Sequence, residues 1–200
     1  MTSVVLSESI ALCGLPARGV ARPRRGGERR ERAWIRAAQG GSEDALERLF
    51  RRHWPSAHRA AYLIVHDAAA AEDIAQEAFV SALRALDRFD RRRPFGPWLH
   101  RIVVNRAIDW SRARSHRGEV ELFDTAVAAE DALPAGNSHA VATALASLSP
   151  EHRAVIVLRH LLEYTPGEIA ELLDLPRGTV NSRLRRGLDE LGAQIQEEVR

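Results

Sequence analysis

Arginine and small polar residues are interleaved near the C-terminal end of the sequence, in "RGTVNSRLRRGLDEL", residues 177–191. A guanidinium is planar and carries several N–H donors, so it can hold a phosphate or donate two hydrogen bonds to the edge of a guanine. Small polar side chains beside it allow close approach to the bases. The stretch therefore indicates contact with duplex DNA, the alternative being a solvated helix face. The candidate residues are Arg177, Thr179, Asn181, Ser182, Arg183, Arg185 and Arg186.

Two short helices are expected to position these residues. Thr165 stands three residues before Glu168, which predicts a capping box and a helix start. After a break at residues 175–178, Val180 and Leu184 open an apolar series that marks the buried face of a second helix. At about 100° per residue, most of the candidate residues lie away from that face. Two helices joined by a tight corner predict a helix-turn-helix, whose second helix enters the major groove.

A second group of arginines lies at residues 88–117, interleaved with aromatic residues that include Phe95 and Trp98. Cations that neutralise phosphates, beside rings on which unstacked bases can lie, are the parts of a single-strand-binding groove. The alternative is a helical core, and we expect Trp98 to be mostly buried. Pro97 is expected at the first position of a helix, so that residues 90–96 form a loop over the groove.

An acidic strip is predicted on a helix that Asp67 can cap. The expected inner half of this helix consists of Ile74, Ala78, Ala82, Leu83 and Leu86. The opposite side carries Asp73, Gln76, Glu77 and Val80. Phosphates repel negative charge, so we expect this strip to face solvent or a protein and not DNA.

The pattern along the chain predicts an all-α fold of two small helical domains joined by a flexible acidic linker, the second domain containing the helix-turn-helix. The expected domains are residues 31–117 and 141–200, with the linker at 118–140 and a disordered Arg-rich tail at 1–30. No alternating strand pattern of useful length interrupts the helical periodicity. No apolar run is long enough to cross a membrane, so membrane insertion is not expected.

Composition limits the classes of function. The 29 basic residues are all arginine, yet the net charge is only +2, so an argument for nucleic-acid binding depends on where the charge lies. The single Cys13 fits a reducing cytoplasm. The eight histidines are scattered without the spacing of metal ligands, so neither an enzyme nor a cofactor is expected.

Three segments in this order resemble one known family. "AEDIAQEAFVSALRALDRF", "WLHRIVVNRAIDWSRARSHR" and "LSPEHRAVIVLRHLLEYTPGEIAELLDLPRGTVNSRLRRGLDEL" are similar to the bacterial RNA polymerase sigma factors of the extracytoplasmic-function (ECF) subfamily. The resemblance covers roughly residues 37–191. Each segment alone is moderately specific, and the three together around an acidic linker are strongly so.

The resemblance implies partners and roles for the surfaces. Core RNA polymerase would dock on the acidic strip, the helix-turn-helix would read the minus-thirty-five element, and an anti-sigma factor would be a further partner. The first domain would open and bind the minus-ten element of promoter DNA. The residues expected there are Arg91, Arg92, Arg93, Phe95, Trp98, Arg101, Asn105, Arg106 and Arg112.

A different reading is a helix-turn-helix regulator that binds operators without polymerase. The first domain would then serve for dimerisation or sensing. That reading leaves the acidic strip and the arginine–aromatic segment without a role.

Overall fold

The computed structural model describes residues 25–117 and 143–198, and all regular structure in these ranges is helical. The all-α prediction is thereby confirmed. The expected linker at 118–140 and most of the expected tail, residues 1–24, lie outside the described residues.

The first domain contains four helices within residues 25–117. Helix α1 spans Arg25–Gln39, α2 spans Glu43–Val65 and α3 spans Ala68–Ala85. A 3₁₀ turn at Leu86–Arg88 ends α3, and α4 spans Phe95–His116. Helices α2, α3 and α4 pack against one another, and α1 closes the bundle on the α2 side.

Helix α1 corrects one predicted boundary, since residues 25–30 are helical and were expected to belong to a disordered tail. Ile35 of α1 is buried in the core. The Gln39 side-chain amide donates hydrogen bonds to the carbonyls of Leu86 and Phe89, at 2.9 and 3.1 Å. These contacts fix the end of α1 against the 3₁₀ turn, and they join residues about 50 positions apart, which local pattern does not reveal.

The predicted cap of α3 is confirmed, whereas the predicted start of α4 is wrong. Asp67 Oδ1 accepts a hydrogen bond from the Ala70 N–H at 2.9 Å. Helix α4 begins at Phe95, after Pro94, and not at Pro97. The first N–H groups of a helix have no carbonyl partner within it, so Pro97 is tolerated at the third position and does not mark the start.

In the second domain a helical turn at residues 143–146 precedes α5, Pro150–Ile156, which continues as a π-helical turn at Val157–Leu161. Helix α6 spans Pro166–Leu173 and α7 spans Arg177–Glu198. Ser149 caps α5 with Pro150 at its first position, as predicted.

Helices α6 and α7 form the predicted helix-turn-helix. The capping box is present, with Thr165 accepting from the Glu168 N–H and the Glu168 carboxylate accepting from the Thr165 N–H. Asp174 ends α6 in the left-handed region at φ 55°, and the Leu175 N–H donates to the Ala170 carbonyl at 2.9 Å. The chain reverses in this short turn and enters α7.

The two domains pack against each other in the described residues. Helices α5 and α6 contact α4, and α5 with its π turn contacts α2. The buried apolar residues of both domains form one continuous core. Sequence pattern anticipated the two helical units but not this interface. Among the described residues, no helix has the length and apolar character needed to cross a membrane.

Candidate nucleic-acid interface

The recognition helix α7 presents its predicted face to solvent. Val180 and Leu184 are buried against α5 and α6, which fixes the rotation of the helix. The exposed members of the predicted set are Arg177, Asn181, Arg185 and Arg186, and the partly buried members are Thr179, Ser182 and Arg183. A basic ridge with small polar residues along it is therefore free to approach a major groove.

Arg183 lies at the edge of that ridge and acts on a residue of α5. Burial raises the pKa of Glu151, but the hydrogen bond and charge of Arg112, with a smaller contribution from the charge of Arg183, hold that pKa below its ordinary value. Glu151 is therefore ionised near neutral pH. We conclude that Arg183 contributes to the electrostatics of the domain as well as to the basic ridge.

On α4, four predicted residues share one face. At about 100° per residue, Trp98, Arg101, Asn105 and Arg112 fall within an arc of about 60°. Arg101, Asn105 and Arg112 are exposed, whereas Trp98 is half-buried and packs on Phe89 with ring centroids 4.6 Å apart. The expected burial of Trp98 is thus only partial, and the residue remains partly exposed on the same face as the cations.

The loop before α4 carries three further arginines of the predicted set, of which Arg92 and Arg93 line a cleft with Gly96 and His100, on another side of α4. Arg91, Arg92 and Arg93 are exposed. The Asp90 carboxylate accepts from the Arg92 N–H and the Asp90 carbonyl accepts from the Arg93 N–H, each at 2.9 Å. This small turn fixes the backbone of the loop, and all three arginine residues remain exposed.

Two members of the predicted minus-ten set do not lie on this face. Phe95 is only 1% exposed and its ring contacts His53 and Trp98, at 5.1 and 5.5 Å between centroids. Its ring is part of the core and is not available to stack on a base, so the predicted role of Phe95 is corrected. Phe95 was expected in the loop before Pro97, so helical spacing gave no signal of its burial; as the first residue of α4 it lies about 60° around the helix from Trp98 and about 120° from Arg101.

Arg106 is the second exception, because it binds the helix next to its own. Its Nη1 lies 2.5 Å from the Glu77 Oε2 and its Nη2 donates to the Ser81 hydroxyl at 2.8 Å. Arg106 therefore connects α4 to α3. In this structure it binds a residue of the acidic strip, and its guanidinium does not extend from the face that carries Arg101 and Asn105.

The acidic strip on α3 is exposed at every predicted position: Asp73, Gln76, Glu77 and Val80. An apolar patch continues it. Val80, Leu83 and Phe50 are exposed to 44%, 43% and 41%, and the Phe50 ring packs on Phe79 at 4.9 Å. Leu83 was expected on the inner half of α3, and its exposure corrects that expectation.

Sequence reasoning missed Phe50 because it lies on a different helix from the strip. Its position one turn before Trp54 on α2 was visible, and the two rings stack at 4.9 Å. The sequence does not show which side of α2 packs against α3. Exposed large apolar side chains that adjoin a charged strip are typical of a protein-binding surface.

The fold and these surfaces define a class: all-helical DNA-binding proteins with a helix-turn-helix and a second basic helix. Family models identify the class further. Residues 49–117 match "Sigma-70 region 2" and residues 138–191 match "Sigma-70, region 4". The two matches together cover more than half of the chain.

Individual relatives agree with the family models. The chain is 30% identical over 178 residues to the ECF RNA polymerase sigma factor SigW of Bacillus subtilis, covering 82% of this chain and 95% of that protein. It is 33% identical over 159 residues to the ECF RNA polymerase sigma factor SigM of Mycobacterium tuberculosis, covering 80% of this chain and 81% of that protein.

A solved structure shows the same fold. The structure of CnrH in complex with the cytosolic domain of CnrY is 30% identical in sequence, with a TM-score of 0.65, and covers 84% of this chain and 97% of CnrH. This chain belongs to the ECF RNA polymerase sigma factors, which are transcription initiation factors that bind polymerase and direct it to promoters.

Proposed function

We propose that each half of the molecule reads one promoter element while the α3 surface holds core RNA polymerase. The observation that carries this proposal is the separation of charge. The exposed basic faces lie on α4 and α7, whereas the acidic strip lies on α3.

The recognition helix is suited to the minus-thirty-five element as duplex DNA. Arg185 and Arg186 lie on the side opposite Val180 and can reach base edges or phosphates. Asn181 lies one helical turn before Arg185 and can pair with an adenine edge. We assign Arg177, Thr179 and Ser182 to the same contact surface, with Arg183 at its margin.

The face of α4 and the loop before it are suited to a melted minus-ten element. Extruding a base costs a few kcal/mol, which stacking and cations must recover. Trp98, which is partly exposed, offers the ring, and Arg101 and Arg112 offer the charge. Arg91, Arg92, Arg93 and Asn105 complete the proposed set. Phe95 and Arg106 are left out because one is buried and the other binds α3.

The docking surface for polymerase consists of the acidic strip and the apolar patch beside it. Asp73, Gln76 and Glu77 supply charge and hydrogen-bonding groups around Val80. Leu83 and Phe50 extend the apolar centre. A buried apolar centre with a polar rim is the usual construction of a specific protein interface.

Regulation by an anti-sigma factor and action in the cytoplasm belong to the same proposal. CnrH, which like SigW is 30% identical to this chain, was solved in complex with the cytosolic domain of CnrY. The role proposed for this chain is recognition and not catalysis.

The test is transcription in vitro from a promoter mapped after overexpression of the protein. The purified chain and core polymerase should together yield a transcript from this promoter. Scrambling either promoter element should abolish the transcript.

A different outcome would support the operator-binding reading. If the chain bound the mapped site equally well with and without core polymerase and produced no transcript, the proposed polymerase docking would be refuted. The strip on α3 would then be an ordinary solvated face.

A further inference from the structure

Helix α1 carries a stripe of arginines on its exposed side. Arg29, Arg32 and Arg36 are exposed, and at about 100° per residue they fall within an arc of about 60°. Ile35 and Ala38 are buried on the inner side of the same helix, which fixes its rotation. Helix α1 precedes residues 49–117, the part of the chain that matches "Sigma-70 region 2", so the family match gives this arginine stripe no role.

The neighbouring helix α2 shows how exposed arginines are placed when they support a helix. Arg48 and Arg51 each stand four residues after a carboxylate, and they pair with Asp44 and Glu47 at 2.8 and 2.6 Å. Pairs of opposite charge at this spacing stabilise a helix by about 0.2–0.5 kcal/mol. These guanidinium groups are therefore occupied within α2 itself.

The arginine stripe of α1 lacks such pairing. Within residues 25–117 and 143–198, neither Arg29 nor Arg36 forms an ion pair, and Arg32 has only a 3.8 Å contact to Glu28. Arg32 and Arg36 are like charges four residues apart, an arrangement that costs a helix about 0.2–0.5 kcal/mol. The stripe thus weakens α1 slightly on its own, and it is suited to a partner that carries negative charge.

Two contacts connect the stripe to the end of the minus-ten face that carries Trp98. The Trp98 ring packs on Phe89 with centroids 4.6 Å apart, and the Phe89 carbonyl accepts a hydrogen bond from the Gln39 amide at 3.1 Å. Gln39 lies on α1 within about 60° of both Arg32 and Arg36. The arginine stripe therefore lies beside the ring that is proposed to stack on a base.

The loop before α4 extends the basic surface. Arg32 of the stripe lines the same cleft, of about 550 Å³, as Arg92 and Arg93. Glu163 and Glu168 of the second domain also line this cleft, whereas Arg29 and Arg36 lie outside it. The two arginines outside the cleft are the ones best placed to bind an external polyanion.

The local charge of this surface is larger than that of the whole chain. The stripe and the exposed arginines of residues 88–93 supply seven positive charges, whereas the exposed carboxylates beside them are Glu28, Asp87 and Asp90. The excess of four charges compares with a net charge of +2 for all 200 residues. Such a concentration of charge attracts a phosphate backbone.

The dimensions of the stripe fit a short run of phosphates. Arg29 and Arg36 are about 10 Å apart along the helix axis, which is the axial rise of about three nucleotides at about 3.4 Å each. A guanidinium holds a phosphate through paired N–H donors, whichever base is attached. Trp34, the ring between them in sequence, is half-buried and lies on another side of α1. The stripe is therefore suited to hold a backbone and not to stack on bases.

We propose that the arginine stripe is a second phosphate-binding surface, which holds the backbone of the promoter strand where that strand continues past the minus-ten element. The strand leaves the minus-ten face at Trp98, crosses residues 88–93 and passes over α1. This inference rests on the proposed function, because that function supplies the bound strand. The added contact depends on charge and not on base sequence.

The experiment measures binding of single-stranded promoter DNA to the holoenzyme assembled from core polymerase and the full-length chain. A short oligonucleotide contains only the mapped minus-ten element, in the strand that binds more tightly. Two longer ones extend it on the 5′ or the 3′ side by the length of the element itself. Fluorescence anisotropy at several salt concentrations gives the affinity and the slope of its logarithm against the logarithm of the salt concentration.

The test variant is Arg36→Ala, with Arg36→Lys as the variant that keeps the charge. The matched control is Arg48→Ala, which removes an exposed arginine that Asp44 already occupies. On one of the two extended oligonucleotides, Arg36→Ala should reduce the slope by about 0.7, the contribution of one phosphate contact on a single strand. At about 0.15 M salt this corresponds to a loss of affinity of about three- to fivefold.

The other measurements should separate charge from structure. Arg36→Lys should retain the slope of the unaltered protein, and Arg48→Ala should have no effect. Arg29→Ala combined with Arg36→Ala should double the change in slope. All variants should bind the short oligonucleotide with unaltered affinity and have equal helical circular dichroism, because the substituted residues are exposed.

An unchanged slope for Arg36→Ala on both extended oligonucleotides would overturn the proposal. An equal change on all three oligonucleotides would also overturn it, because the contact would then lie within the element. Weaker binding of core polymerase by Arg36→Ala, with the DNA slope unaltered, would assign the stripe to an acidic protein surface instead of DNA.

Arg101→Ala distinguishes this inference from the proposed function. It removes a cation of the minus-ten face and should weaken binding of the short oligonucleotide. If it does so while Arg36→Ala has no effect, only the role of the stripe is refuted. If Arg101→Ala has no effect while Arg36→Ala changes the slope, the stripe stands as a phosphate-binding surface and the proposed minus-ten face is refuted.

Discussion

Arg186 is the residue at which the recognition helix can be tested most simply. It is exposed on α7, opposite the buried Val180. Arg186→Ala should weaken binding to a minus-thirty-five duplex by about 1–3 kcal/mol, because a base-edge or phosphate contact is lost. Fluorescence anisotropy on cognate and scrambled duplexes measures this loss. A loss confined to the cognate duplex identifies a base contact, and an equal loss on both identifies a phosphate contact.

The control for this experiment is Arg84→Ala, which removes an equally exposed arginine from α3. It should leave duplex affinity unchanged. Affinity that is unaltered by Arg186→Ala would remove this residue from the proposed surface.

Two buried histidines predict how stability depends on pH. Burial, with the charge of Arg153, lowers the pKa of His66 to about 3, and His100 is lowered to about 3 as well. In the unfolded chain both titrate near 6.5, so between these values the unfolded state binds more protons and stability falls as pH falls. At pH 5 the loss should be up to about 2 kcal/mol for each histidine relative to pH 7.5.

Urea denaturation at pH 7.5 and pH 5 measures this dependence. Carboxyl groups with a lowered pKa, such as Glu31 and Glu151, contribute mainly below their ordinary value of 4.5 and add only a small loss at pH 5. Burial also lowers the pKa of His160, which adds to the loss in the same direction. His100→Gln should therefore remove only its own share of the pH dependence, up to about 2 kcal/mol. Equal free energies of unfolding at the two pH values would contradict the buried neutral state of both histidines.

At the scale of the element, Gly187 determines how closely α7 packs on α5. A Cβ built at this position would lie 2.8 Å from the Ile156 Cδ1 and 3.2 Å from the His152 Cβ. Gly187→Ala should therefore lower the free energy of unfolding, because the buried Ile156 side chain and the His152 Cβ must both shift, and overpacking in the upper part of the range of about 1–3 kcal/mol outweighs a helix-propensity gain of about 1 kcal/mol.

Gly178 supplies the matched control on the same helix. No atom lies within 4 Å of a Cβ at that position, so Gly178→Ala should raise the free energy of unfolding by about 0.5–1 kcal/mol. Denaturant titration of both variants gives the comparison. Stabilisation of equal size by both substitutions would show that α5 and α7 do not pack this closely.

Helix α3 carries the polymerase-docking prediction. Asp73→Arg reverses an exposed charge in the acidic strip and should abolish binding to core polymerase, since a like charge would then face the partner's complementary surface. The fold should be intact because the residue is exposed. Co-elution of the variant with core polymerase on a sizing column is the measurement.

Asp87→Arg makes the same charge change just beyond α3, at an exposed residue outside the strip. It should bind core polymerase like the unaltered protein. Equal binding by both variants would refute the strip as the docking surface, whereas equal loss would indicate a general charge effect.

At the scale of the whole molecule, the features that the sequence predicted correctly are those set by residues close to one another in the chain. The Ser149 cap, the Thr165–Glu168 capping box and the stripe through Val180 each depend on residues within one or two helical turns. These signals are sufficient to place the helix-turn-helix and its exposed ridge. The resemblance supplied the family, which the comparisons confirm.

What sequence could not supply depends on contacts between distant segments. The burial of Phe95, the pairing of Arg106 with Glu77 and the exposure of Leu83 follow from how α2, α3 and α4 pack. The domain contact through Arg153 joins residues 89 positions apart. Side-chain type and spacing do not determine such distant pairings, because many arrangements satisfy the same local pattern.

The central claim is that one chain, on one promoter, holds the two elements with two different surfaces. Photo-crosslinking from a benzophenone amino acid at Asn181 and at Arg101, in separate preparations bound to core polymerase and the mapped promoter, tests it most directly. We predict crosslinks from position 181 to the minus-thirty-five element and from position 101 to the minus-ten element, the latter depending on polymerase. Crosslinks from both positions to the same element, or from position 101 to no DNA at all, would contradict the account.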